Sequence, residues 1–232
     1  MLANASELIL TIVYLVAAYI LTTLLIPLIN KGALILKIRD LPNQRKQHKV
    51  PIVRLGGVAI AIATYITLFT TNLLDNNNIN QDPRINFIII GSAISFFLGL
   101  LDDIYKLTPL TRLLVQITLS TFIWSQGIRI ESIDLSGITS QTDFILQLPI
   151  YLSILITCIW FVGITNALNW IDGLDGLAGK VSSIALIGNI YLSIIQNDLP
   201  LLILCMTVLG GCIGFLKYNV KPATTLMGDG GS

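Results

Sequence analysis

Seven long runs of apolar residues divide this 232-residue chain, and they constrain its fold more than any other feature. A helix needs about 20 apolar residues to cross the hydrocarbon core of a bilayer. Only 12% of the residues are charged, against about 25% in a typical soluble domain. These features predict an all-α polytopic membrane protein with about seven transmembrane helices in this chain. The predicted spans are residues 7–29, 55–74, 85–101, 109–126, 149–168, 177–195 and 200–216.

The first apolar run predicts a retained membrane helix rather than a cleaved signal peptide. It is longer than the apolar region of a signal peptide, and Glu7 precedes it instead of a basic cluster. Cys158, Cys205 and Cys212 all lie inside apolar runs. They are therefore expected to be buried small side chains, neither paired in a disulfide nor bound to a metal.

The basic residues are distributed unequally between the two sets of connections. Twelve of the fourteen Lys and Arg residues lie in or beside the connections after the first, third, fifth and seventh spans. Only Arg84 and Arg129 belong to the other set. Because basic residues favour the cytoplasmic side, the first set is predicted to be cytoplasmic and the N-terminus to lie outside. No basic block suggests a nucleic-acid partner.

One extracytoplasmic connection differs from the others. The stretch IRIESIDLSGI begins at Ile128, within residues 127–147, and alternates apolar and polar residues. This period of two is typical of a strand, and the Ser-Gly pair that follows is typical of a turn. We therefore expect a small extracytoplasmic β-hairpin between the fourth and fifth spans.

All the unusual polar clusters lie on the predicted cytoplasmic side. Ionisable groups at the ends of membrane helices are candidates for function when they face the interior of a bundle. Four clusters on one face can be brought to one site by a compact bundle. The clusters are Asp40, Arg45, Lys46 and His48 after the first span, Asp102, Asp103 and Lys106 after the third, Asn166, Asn169, Asp172 and Asp175 at the end of the fifth, and Asp229 after the seventh.

The composition of these clusters favours metal-assisted phosphoryl transfer. Carboxylate and amide oxygens are hard ligands suited to Mg²⁺, which commonly bridges substrate phosphates. Neighbouring glycines let the backbone approach a ligand closely, and the cations are suited to phosphate oxygens. Together they indicate a phosphoryl-transfer site. Taken singly, each cluster is also typical of a solvated helix end, a turn or a basic membrane anchor.

Four stretches resemble one enzyme family, in the family's order. They are DLPNQRKQHKVPIVRLGG (40–57), LGLLDDIYK (98–106), NALNWIDGLDGLAG (166–179) and MGDGGS (227–232). They are similar to the polyprenyl-phosphate N-acetylhexosamine-1-phosphate transferases, of the glycosyltransferase family 4 type. Within that family they look more like the undecaprenyl-phosphate GlcNAc-1-phosphate transferases than the phospho-MurNAc-pentapeptide branch.

The resemblance implies an enzyme of the bacterial inner (plasma) membrane, with a cytoplasmic active site and ten or eleven helices at full length. Undecaprenyl phosphate would attack a UDP-N-acetylhexosamine and release UMP, with Mg²⁺ or Mn²⁺ required. This is the first membrane step of cell-envelope polysaccharide synthesis. We therefore expect residues 1–232 to be one transmembrane transferase domain that lacks the C-terminal helices and last cytoplasmic loop. A homodimer is one of the assemblies open to it.

Site roles are carried over from the family by motif position. Asp229 is expected to ligate the metal with Asn169, and Asp102 and Asp103 to be catalytic. Which carboxylate acts as a base stays open at this point. The expected substrate-binding residues are Asp172 and Asp175 for the nucleotide-sugar or in support of the metal, and Arg45, Lys46, His48 and Lys106 for phosphates.

Two other classes of protein compete with this interpretation. A secondary transporter would place ion-coupled carboxylates near the middle of its spans and commonly shows an inverted repeat. Here the acids lie at span ends on one side, and no repeat is visible. A membrane scaffold would leave the Asn-Asp-Gly pattern without a use.

Overall fold

The computed structural model describes residues 5–35, 52–74, 82–136 and 145–232. Within these ranges the chain forms seven α-helices and one two-stranded sheet. The helices are α1 (Ala5–Ile35), α2 (Gly56–Leu74), α3 (Pro83–Tyr105), α4 (Pro109–Ser125), α5 (Ile150–Ile171), α6 (Leu177–Gln196) and α7 (Leu199–Asn219), and the strands are β1 (Ser132–Asp134) and β2 (Ile145–Gln147).

Each predicted span coincides with one helix, which confirms the prediction of an all-α polytopic membrane protein. Five helices, α1, α3, α5, α6 and α7, are long and apolar enough to cross a membrane. The apolar lengths of the other two helices, α2 and α4, are shorter. The apolar stretch of α2 is Gly56–Thr70, and α4 has 17 residues.

The helix ends differ from the predicted ends where polar residues have partners. Helix α3 continues past residue 101, so Asp102 and Asp103 lie buried in its last turn instead of following it. The N–H of Lys106, the residue that caps the helix, donates to the Asp102 carbonyl oxygen at 2.9 Å, and the left-handed φ of 55° at Lys106 ends the helix there. Helix α5 likewise continues to Ile171, which places Asn169 in its last turn.

Helix α7 is the centre of the bundle and packs against α1, α2 and α6. Glycines allow the closest contact, which is with α1. A Cβ on Gly210 would overlap the Leu15 carbonyl oxygen, and one on Gly214 would lie 2.8 Å from the Tyr19 carbonyl oxygen. Phe215, fully buried, continues this core toward the end of the bundle where α7 finishes. Small residues at such contacts are typical of helices packed within a membrane.

The structure also confirms the hairpin. Strands β1 and β2 pair antiparallel, with Ser132 opposite Gln147, Ile133 opposite Leu146 and Asp134 opposite Ile145. The tip that joins them, residues 137–144, lies outside the described residues. The hairpin connects the end of α4 to the start of α5, at the end of the bundle opposite the acidic clusters.

The contact between α1 and α7 gives a first prediction. Gly210→Ala should force the two helices apart and destabilise the folded protein by about 1–3 kcal/mol, because its Cβ has no space beside Leu15. The melting temperature of the purified protein in detergent measures this loss.

The matched control is Gly188→Ala in α6, where a Cβ would meet nothing within 4 Å. This variant should melt at or slightly above the wild-type temperature, because alanine favours the helix over glycine. Equal melting temperatures for the two variants would contradict the assigned contact.

Candidate active site

Two buried carboxylates bind residues 226–232, the glycine-rich segment that follows α7. Gly228 donates its N–H to Asp172 Oδ2 at 3.0 Å, and Gly230 donates its N–H to Asp103 Oδ2 at 3.2 Å. Gly228 has a φ of +81°, a conformation that glycine adopts at little cost. The residue between the two anchors, Asp229, is thereby fixed among the ends of α2, α3, α4 and α5.

Glycines in α2 and α3 make room for this segment. A Cβ on Gly57 would overlap the backbone of Gly231, and a Cβ on Gly99 would overlap the carbonyl oxygen of Asp229. The backbone N–H groups of Gly56 and Gly57 also donate to the carbonyl oxygens of the segment's first residues, at 2.9 and 2.7 Å. Gly57 and Gly99, which the resemblance places within two separate motifs, therefore serve one contact.

Two arginines occupy both oxygens of Asp229. Arg54 Nη2 lies 2.6 Å from Asp229 Oδ1, and Arg112 Nη1 lies 3.5 Å from Asp229 Oδ2. Arg112 Nη1 also donates to Asp102 Oδ2 at 2.8 Å. Arg112 therefore bridges the carboxylate of α3 to that of the glycine-rich segment.

Sequence reasoning counted both arginines as cytoplasmic but gave neither a place in the site. A signal was present for Arg112, which falls within the predicted fourth span. A charge inside a membrane span needs a partner, and Asp102 lies ten residues earlier. Arg54 gave a weaker signal, since it only precedes the glycine pair that begins α2.

Asp172 and Asp229 are the carboxyl groups of this site that lie outside the helices, and their pKa values move in opposite directions. Burial raises the pKa of Asp172 to about 6, against the opposing effect of the Gly228 N–H. Burial also acts to raise the pKa of Asp229, but its side-chain hydrogen bonds with Asp102 and Asn169 and the charges of Arg54 and Arg112 hold it below its usual value. Asp229 therefore stays ionised to a lower pH than Asp172.

A cavity of about 570 Å³ extends from this cluster into the bundle. Its polar end is lined by Asp102, Arg112, Asn169 and Asp229. Most of the remaining wall is apolar and comes from α2, α3, α4, α5, α6 and α7. The apolar lining includes Ile60, Leu68, Ile88, Phe96, Ile123, Phe161 and Val208.

The other predicted site residues lie beside the cavity or outside the described ranges. Asp175 is exposed and accepts the N–H of Ala223 at 3.2 Å. Lys106 is exposed at the end of α3 and does not line the cavity. Asn166 lines the cavity and donates to Gln116 Oε1 at 2.8 Å. The predicted phosphate-binding residues of the first cytoplasmic loop, together with Asp40, lie outside the described residues: Arg45, Lys46 and His48.

The side chains of this cluster fit a hard divalent cation whose coordination shell is completed by oxygen atoms of the substrate. Within the described ranges no group of three or more His, Cys, Asp and Glu side chains is arranged as a complete metal site. Mg²⁺, however, is usually bound by one or two carboxylates together with substrate phosphates and water. Asp229 and Asn169 are hydrogen-bonded neighbours that offer such oxygens. Asp103 Oδ1 is buried without a hydrogen-bond partner, so the cluster has acceptor capacity to spare.

Fold and site together define a polytopic membrane protein with charged groups at the head of an intramembrane cavity. The family model for glycosyl transferase family 4 matches residues 85–232. The chain belongs to this family.

Relatives with assigned names cover most of the chain. It is 32% identical to the probable undecaprenyl-phosphate N-acetylglucosaminyl 1-phosphate transferase of Bacillus subtilis, over 92% of this chain and 57% of that protein. It is 29% identical to the decaprenyl-phosphate N-acetylglucosaminephosphotransferase of Mycobacterium leprae, over 82% and 50%. It is also 29% identical to the phospho-N-acetylmuramoyl-pentapeptide-transferase of Streptococcus uberis, over 96% and 69%. The chain thus spans about half the length of the first two.

The raised pKa of Asp172 gives a second prediction. Because the folded-state pKa of about 6 exceeds the ordinary 3.8, the stabilising contribution of the protonated form is complete below pH 3.8 and is lost as the pH rises through about 6. Each pKa unit corresponds to about 1.4 kcal/mol. Asp172→Asn should therefore flatten the fall in melting temperature between pH 5 and pH 7, measured in detergent with EDTA.

The control for this prediction is Asp175→Asn, an exposed position in the same turn. It should keep the wild-type dependence of melting temperature on pH. If Asp172→Asn also kept it, burial of the Asp172 carboxyl would not be what sets this slope.

Proposed function

We propose that the full-length protein transfers an N-acetylhexosamine 1-phosphate, GlcNAc-1-phosphate first among them, from a UDP-sugar to undecaprenyl phosphate. A phosphate oxygen of the lipid bonds to the sugar-linked phosphorus, the bond from that phosphorus to the UMP oxygen breaks, and UMP leaves with the electron pair. The product is the first lipid-linked intermediate of a cell-envelope polysaccharide. The names of the relatives, which act on undecaprenyl or decaprenyl phosphate, support this proposal.

The observation that carries the proposal is that the cavity is charged at one end and apolar along the rest of its wall. A polyprenyl phosphate has the same two-part character, with a dianionic head on a long isoprenoid tail. Ligand cavities typically combine an apolar wall with a few convergent polar groups. The lipid phosphate would lie near Arg112 and Asp102, and the first isoprene units would lie along Ile60 and Phe96.

The carboxylates would have different tasks in this reaction. Asp102 lines the cavity and is placed to orient the lipid phosphate or take its proton. Asp103, the other predicted catalytic residue, would act by holding the glycine-rich segment. Arg54 and Arg112 would turn from Asp229 toward substrate phosphates, for which a guanidinium is well suited. Mg²⁺ held by Asp229 and Asn169 would supply neutralisation of the charge that develops on the phosphates.

We place this site on the cytoplasmic face of the bacterial inner membrane, because the connections at this end of the bundle carry most of the Lys and Arg residues. The transporter hypothesis gains no support. Among the described helices, the only Asp and Glu side chains lie within a turn of a helix end: Glu7, Asp102 and Asp103.

The experiment that tests the proposal uses membranes containing the full-length protein, undecaprenyl phosphate and Mg²⁺. Labelled UDP-GlcNAc and UDP-GalNAc are supplied in parallel, and UMP and lipid-extractable label are measured. We expect a chelator-sensitive lipid product, and we expect Asp229→Ala to abolish it. If folded protein gave no product from any UDP-N-acetylhexosamine, the proposal would be wrong. Normal turnover by Asp229→Ala would remove that residue from the reaction.

Arg112 gives a further prediction within the same assay. Arg112→Gln should lower kcat by about 10²–10³-fold, the effect typical of removing one preorganised group that stabilises charge in the transition state. The matched control is Arg84→Gln. Arg84 also bridges two carboxylates, those of Asp82 and Asp198, but at the opposite end of the bundle. The Arg84→Gln variant should keep the wild-type kcat. An equal loss of kcat in both variants would mean that the loss comes from a disturbed structure and not from the site.

A further inference from the structure

The β-hairpin has one apolar face that no described part of the chain covers. Every residue of β1 and β2 is exposed. Ile133 and Leu146 are paired across the strands and lie on the same face, 37% and 45% exposed. The opposite face carries the Ser132–Gln147 and Asp134–Ile145 pairs, so three of its four residues are polar and Ile145 is its one apolar side chain. Two apolar side chains side by side on a small sheet call for an apolar environment.

The base of the hairpin is clamped at a defined depth along α5. The N–H of Ile130 donates to Thr157 Oγ1 at 3.1 Å, and Ser153 Oγ donates to the Ile130 carbonyl oxygen at 2.6 Å. Thr157 lies seven residues after the start of α5 at Ile150, which is about 10 Å along the helix axis. Ile130 therefore lies beside the first two turns of α5, which is long and apolar enough to span a membrane.

The strands leave this depth with almost no linker. Ser132, the first residue of β1, comes two residues after Ile130, and Gln147, the last of β2, comes two residues before Pro149. Two extended residues reach about 7 Å at most. The N–H of Leu148 also donates to the carbonyl oxygen of Glu131 at 2.8 Å, which closes the base. The hairpin therefore starts at the membrane surface and does not stand clear of it.

The side chains around the base have the chemistry of a bilayer interface. The Arg129 guanidinium lies over the Trp124 ring, 5.1 Å from its centroid, while Trp124 Nε1 donates to Ser153 Oγ at 2.9 Å. Ile150 and Tyr151, which begin α5, are 66% and 67% exposed. Trp, Tyr and Arg at this level are typical of the boundary between headgroups and acyl chains.

We propose that the hairpin is a membrane-surface anchor, whose Ile133–Leu146 face inserts into the headgroup–acyl boundary of the leaflet opposite the carboxylate site. The partner is the phospholipid itself. Exposed side chains suited to the same boundary, Ile150 and Tyr151, begin α5 only three residues after β2 ends. This inference is independent of the reaction proposed above.

The test uses the full-length protein in phosphatidylcholine–phosphatidylglycerol liposomes, with spin labels on cysteines introduced one at a time. The native Cys158, Cys205 and Cys212 are replaced by Ser or Ala in the background. Labels at Ile133→Cys and Leu146→Cys should collide more with oxygen, which concentrates in the bilayer, than with a water-soluble nickel chelate. Ser132→Cys and Gln147→Cys, on the opposite face of the same pairs, are the matched controls and should show the reverse preference.

Each result decides the matter. An oxygen-to-nickel collision ratio several-fold higher at the Ile133–Leu146 face than at the control face supports the anchor. Equal ratios would mean that the hairpin stands in water. A label at Ile133→Cys that neither reagent reaches would mean that protein covers this face. Either of these two results overturns the proposal.

A second measurement guards against variants whose labels disturb the hairpin. Ile133→Trp and Ser132→Trp are compared for fluorescence quenching by lipids brominated near the headgroup end of the acyl chain. Quenching should be stronger for Ile133→Trp, after subtraction of the signal from the native tryptophans. Equal quenching in the two variants would also overturn the proposal.

Discussion

Two buried carboxylates, Asp102 and Asp103, lie beside the partly buried Asp229 at one end of the bundle. They need positive charge and N–H donors nearby, because an unpaired buried charge is strongly destabilising. Asp102 and Asp229 share Arg112, Asp229 also binds Arg54, and Asp103 accepts a backbone N–H. The carboxylates and their partners come from the end of α3, the start of α4, the residues just before α2 and the segment after α7. The position of Asp229 depends on this neutralisation, because the carboxylates and their partners join four parts of the chain at one point.

The adjacent pair Asp102 and Asp103 illustrates how the cluster divides its work. Successive residues of an α-helix point about 100° apart around its axis. The first carboxylate therefore faces the cavity and Arg112, while the second faces the glycine-rich segment and holds Gly230. Asp172 holds the same segment from α5 through Gly228. Asp103 and Asp172 thus hold the backbone on the two sides of Asp229, and each binds a different N–H.

Sequence reasoning reached the helices, the hairpin and the shared face, because apolar length, strand alternation and basic-residue bias are local properties of a chain. It placed the end of α3 too early, because burial of Asp102 depends on Arg112, which only the fold brings near. For the same reason Arg54 was missed, since its partner Asp229 is 175 positions away. Contacts over such separations leave no periodic signal.

The two ends of the bundle are joined through α4 and α5. Helix α4 carries Arg112 near its start, and α5 carries Asn169 in its last turn, so this pair flanks Asp229 from two sides. Side-chain hydrogen bonds are an effective way to join helices within a membrane, where the hydrophobic effect gives little preference between helix and lipid. An anchor that fixes α4 and α5 at one surface would therefore also constrain the two side chains that flank Asp229 at the other. The polar contacts between the two helices include Asn166 to Gln116 at 2.8 Å, Ser120 and Thr121 to Cys158 at 3.1 and 3.6 Å, and Trp124 to Ser153 at 2.9 Å. The contact of Trp124 with Ser153 is also part of the hairpin's clamp.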